Sequence, residues 1–124
     1  MRNADIPEEL LDLMEGPRPP DSFVSNGVTF APDFVGAVDC RAAGHVHDWH
    51  YSLGGTEKDR ELADYRLYRN LVHSELSHFM AGIFFRRVRL FAIDNFRYDD
   101  PPRGWAKFWL VLRCFFSRYL RFCR

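Results

Sequence analysis

Three histidines and an aspartate fall within six positions, His45-Val46-His47-Asp48-Trp49-His50, and Tyr51 follows them. On a helix His45 and His47, two apart, point to different sides and chelate poorly. His47 and His50, three apart, share a face. A zinc site would still need a third ligand, usually at i,i+4 spacing, so a histidine zinc centre is not expected here. His47 and Tyr51 are four apart and face the same way. Asp64 lies seventeen positions beyond His47. A carboxylate that accepts a hydrogen bond from one imidazole nitrogen leaves the other nitrogen to take a proton from water. Asp48, about a quarter turn round the helix, faces the loop before it. A carboxylate beside backbone carbonyls suits a hard cation such as calcium. Such a cation polarises a carbonyl and stabilises the oxyanion formed when water attacks.

These residues need elements to hold them. A helix is expected from Asp39 through Tyr51, stopped by Leu53-Gly54-Gly55. Thr56 is a good N-cap for the next helix, with Asp59 three residues on as its capping-box partner. That helix runs to Val72, with Leu62, Tyr65, Leu67 or Tyr68, and Val72 as its apolar stripe. Helices joined by so short a turn lie antiparallel, which sets His47 opposite Asp64. Before this hairpin, residues 6–14 read as a short acidic helix with Pro7 in its first turn. GPRPP, residues 16–20, reads as a stiff linker, and 22–34 as an irregular loop with short extended pieces. After the hairpin, a helix is expected from Glu75 to Ile93, with Phe79, Ile83, Phe84, Val88 and Leu90 as core candidates. RYDDPPRG breaks the chain at 97–104 before a last helix over 105–124. The fold class is therefore mostly α in one domain, with 1–20 a helix and linker, 22–72 the hairpin core and 73–124 a helical C-terminal part.

The string HDWHY, followed by a helix bearing Ala63-Asp64, resembles the core of the phospholipase A2 superfamily. By that resemblance His47 is the general base, Asp48 the calcium carboxylate and Asp64 the aspartate that orients the base. Tyr51 and Tyr68 match the tyrosines that hydrogen-bond this aspartate. The resemblance implies calcium-dependent hydrolysis of a phospholipid acyl ester, and a compact hairpin similar to the viral and bacterial or prophage members. It covers roughly residues 22–72. The chain departs from the secreted enzymes in two places. His50 and Ala63 stand where those enzymes place a disulfide. The glycine-rich calcium loop is replaced by NGVTFAP, whose one glycine, Gly27, is the expected backbone contributor. A chain that keeps such a scaffold without activity, for instance a structural or interaction protein of a phage virion, is the alternative. His45 and His50 read as ordinary packing or surface residues.

Composition narrows the remaining classes. Apolar residues make up 47% of 124, which suits a folded domain. The zero net charge conceals a split. Residues 1–64 carry thirteen acids and five bases; residues 65–124 carry four acids and twelve bases. The halves attract each other, or the basic half meets something anionic. Cys40, Cys114 and Cys123 make neither a disulfide framework nor a zinc pattern and read as free thiols. The N-terminal stretch is acidic and lacks the apolar core of a signal peptide, and no apolar run reaches a membrane span. A virion-associated and a cytoplasmic location both suit these features. On a helical wheel the last helix gathers Lys107, Arg113, Arg118, Arg121 and Arg124 on one side. Trp105, Phe108, Trp109, Leu112, Phe115, Phe116, Tyr119 and Phe122 take the other. Such a face packs on its own domain, lies on a phospholipid surface or docks a protein partner. Nucleic acid is not expected, because the basic face carries no binding motif.

Overall fold

The computed structural model describes residues 1–25 and 32–122. It is mostly helical. A 3-10 turn over Asn3–Asp5 leads into α1 (Glu8–Asp12); then come β1 (Phe34–Val35) and β2 (Val38–Asp39), α2 (Arg41–Leu53), α3 (Glu57–His73), α4 (His78–Phe91), a second 3-10 turn over Ile93–Asn95, and α5 (Gly104–Phe122).

The two strands form an antiparallel hairpin in which Phe34 pairs with Asp39 and Val35 with Val38. This hairpin was not expected. It delays the start of α2 from Asp39 to Arg41. Asp39 stays outside the helix and grips its first turn, accepting from the Arg41 backbone at 3.0 Å and from the Arg41 guanidinium at 2.7 Å. At the other end Gly54 adopts φ +70°, and α3 starts on Thr56, whose capping box with Asp59 is formed as expected. The return segment clamps this turn. Gly55 N–H donates to Arg97 O at 3.0 Å, and Asp99 N–H donates to Gly55 O at 2.9 Å.

The buried stripe of α3 differs from the expected one. Leu62 and Tyr65 are exposed, while Arg60, Ala63, Asp64, Leu67, Asn70 and Leu71 face inward. A set of paired charges occupies the inner positions near the turn and rotates the apolar pair outward. Helix α4 begins at His78, later than expected, because Glu75 takes φ +74° to close α3 and Ser77 caps the new helix. Phe79 is consequently exposed; Phe84, Phe85 and Val88 are buried. The main core joins Cys40, Ala43 and Tyr51 of the first half of the hairpin to Leu67, Leu71, Phe84, Val88 and Phe96.

Helix α5 docks through a narrow strip. Leu110 and Cys114 pack with Ile93, with Leu90, Tyr98 and Val111 alongside. Lys107, from the basic side of the wheel, reaches Asp94 at 2.7 Å. Among the described residues no helix is long and apolar enough to cross a membrane.

Candidate functional site

The three histidines of the opening cluster all sit on buried positions of α2, and each meets a different partner. His45 lies between Ser25 Oγ at 2.8 Å and Asn3 Oδ1 at 2.9 Å, and so ties the N-terminal segment to the helix. His50 donates Nε2–H to the Pro17 carbonyl at 3.0 Å. Its ring lies against Gly16, where an added Cβ would stand 2.6 Å from His50 Cε1. Burial lowers His50 to a pKa of about 4. Both are packing residues, and neither converges with His47.

His47 faces α3. Its Nε2 lies 2.8 Å from Asp64 Oδ1, with both side chains buried. An ionised carboxylate only accepts, so Nε2 carries the proton and Nδ1 presents a lone pair. Among the described residues that Nδ1 has no hydrogen-bond partner, and the atom is closed to solvent. Tyr51, one turn on, donates its hydroxyl to the same Asp64 oxygen at 2.5 Å and packs on the imidazole with ring centroids 4.2 Å apart. Burial and the Asp64 charge hold the Tyr51 phenol well above its usual pKa, which keeps it a donor.

The second oxygen of Asp64 meets cations. Arg89 Nη1 approaches at 2.9 Å from α4, and Arg60 Nη1 stands at 3.5 Å one turn back on α3. Both guanidiniums also hold Glu57, with contacts of 2.7 Å from Arg89 and 3.0 Å from Arg60. Tyr98 donates to Glu57 from the clamp segment. Cys114 Sγ accepts from Arg89 at 3.1 Å and from Arg60 at 3.5 Å. Two acids and two bases cancel inside the protein, and every one has a partner, as buried charges require. Burial alone would raise the Asp64 carboxyl. The hydrogen bond from His47 and the nearby cations outweigh it and hold the group below the usual carboxylate range.

Sequence reasoning missed this quartet, although its signals are readable. Glu57, Arg60 and Asp64 are spaced to share one helix face. Arg89 sits in the stripe made by Ala81, Phe85 and Val88, where an arginine needs a buried acid.

Tyr68 was expected on Asp64 and is not one of its donors. Its hydroxyl meets His78 Nδ1 at 2.8 Å. Tyr51, Arg60 and Arg89 already occupy the carboxylate, and Tyr68 leans toward the start of α4. Asp48 is half-buried on α2. Gly27, with residues 26–31, lies outside the described residues, as does Cys123. Cys40 and Cys114 are buried, and neither forms a disulfide among the described residues. Among the described residues no three or more His, Cys, Asp or Glu side chains gather to hold a metal. A scan against protein-family models, a search of curated proteins and a search of solved structures each return no match.

Proposed function

We propose that the chain is a hydrolase of phospholipid acyl esters with a phospholipase A2-like hairpin. The observation that carries this reading is the buried His47–Asp64 pair, in which Nε2 is tied to the carboxylate and Nδ1 is left as a base. Nδ1 takes a proton from water as the oxygen attacks the ester carbonyl carbon. The imidazolium then gives that proton to the departing alkoxide, and fatty acid and alcohol leave without a covalent intermediate. Asp64 stabilises the imidazolium, and Tyr51 fixes the carboxylate that does so.

Calcium belongs to this proposal through Asp48 and the carbonyls of the 26–33 loop, Gly27 among them. One carboxylate supplemented by backbone oxygens is a donor set suited to a hard cation. When bound, the cation supplies charge stabilisation for the oxyanion.

The test is fatty-acid release from mixed phospholipid vesicles, with and without calcium, by the wild type and His47→Gln. Calcium-dependent release that the substitution abolishes supports the reading. Equal release by both proteins, or none by either, overturns it. A second reading rests on the closure of Nδ1 to solvent. A base that water does not reach is a scaffold residue, and the chain is then a catalytically silent interaction protein, such as a virion component. The absence of calcium binding by calorimetry together with an inactive wild type would favour it.

A further inference from the structure

The wheel of α5 and its packing disagree in an informative way. The side that docks is the narrow strip through Lys107, Leu110, Val111 and Cys114. The aromatic side turns outward: Trp105 is 77% exposed, Phe108 51%, Trp109 63% and Phe116 63%. These rings support one another along the helix, Trp105 against Phe108 at 5.7 Å and Phe108 against Trp109 at 5.9 Å. A ridge of this size on the outside of a small domain marks an interaction surface.

The charge around the ridge selects its occupant. Residues 101–124 contain six Lys or Arg and no Asp or Glu. Exposed Arg113 borders a recess of about 360 Å³ whose walls include Trp109, Leu112 and Phe116. A cation at the lip of an apolar recess matches an anionic headgroup above an acyl chain. Tryptophan favours the boundary between water and lipid, with its ring body apolar and its N–H wet. A second copy of the same helix would bring like charge against like charge. No described helix is suited to cross a membrane, so α5 would lie in the interfacial plane.

We infer that the outer face of α5 docks on an anionic lipid surface, with Trp105, Phe108, Trp109 and Phe116 entering the headgroup region and Arg113 at its edge. This binding does not rest on hydrolysis and persists if the chain has no enzymatic activity.

The experiment is co-sedimentation of the full chain with phosphatidylcholine vesicles, with or without phosphatidylglycerol, in the presence of a chelator. Binding should require phosphatidylglycerol and weaken with salt. The double variant Trp105→Ala/Trp109→Ala should bind roughly tenfold or more weakly, since each lost ring removes buried apolar area. Its thermal unfolding should match the wild type, because neither side chain packs on the domain. His47→Gln should bind as the wild type does. Absence of binding to anionic vesicles, or binding that the double variant retains in full, overturns the inference. So does a self-association that the double variant abolishes in a chain that ignores vesicles, which would assign the ridge to a second copy.

Discussion

His47 and His50 stand one turn apart on α2, both buried, and both donate from Nε2, yet their acceptors differ in charge. His47 points at an ionised carboxylate. His50 points at a neutral carbonyl, so desolvation dominates and its pKa falls to about 4. The sign of the consequence follows from proton binding. In the unfolded chain this residue titrates near 6.5, so between that value and about 4 the unfolded state holds more protons. Stability from His50 is therefore complete above the unfolded value, is lost as pH falls toward 4, and is flat below it. The loss amounts to roughly 3 kcal/mol at most. Urea unfolding across this range should show a shallower acid loss for His50→Gln than for the wild type. Equal slopes in the two proteins would show that His50 is not the group responsible.

At the scale of elements, the turn between α2 and α3 decides whether His47 meets Asp64 at all. Gly54 has φ +70°, and a Cβ there would stand 2.0 Å from the Arg97 carbonyl. Gly54→Ala must both strain the backbone and push away the segment that clamps the turn. A loss of roughly 3 kcal/mol is expected by denaturant titration, and the His47 imidazole proton should exchange faster by NMR. Loss of less than a quarter of that would mean the clamp yields easily. The glycine stop, the Thr56 capping box and the pairing of His47 with Asp64 were all legible, because each depends on residues close in sequence or on one short turn. The strand pair before α2 was not legible, since four residues of strand carry almost no periodic signal. The inner face of α3 was misread for a different reason. Hydropathy ranks Leu62 and Tyr65 above Arg60 and Asp64, and only Arg89, twenty-five positions beyond Asp64, makes the charged face the buried one. The Tyr68 expectation failed similarly, because its partner His78 belongs to the next helix.

Across the whole molecule the quartet is what joins the candidate site to the terminal helix. Glu57, Arg60 and Asp64 come from α3, Arg89 from α4, Tyr98 from the clamp and Cys114 from α5. Removing one member leaves the others buried with charge uncompensated. Arg89→Met keeps the length of the side chain but leaves two carboxylates facing one guanidinium. It also takes the nearer donor from Cys114. The expected cost is about 3–5 kcal/mol, and it should not be local. Hydrogen exchange should accelerate in α5 around Leu110–Cys114 and in α3 around Asp64 together, since both faces lose the same partner. The control is Lys107→Met, which breaks the Lys107–Asp94 contact on the surface. It should cost no more than about 1 kcal/mol and leave exchange at Asp64 unchanged. If Arg89→Met accelerated α5 alone, the helix would be an appendage whose docking does not reach the His47–Asp64 pair. Joint acceleration would mean that whatever seats α5, including a lipid surface on its outer face, also steadies the carboxylate that orients His47.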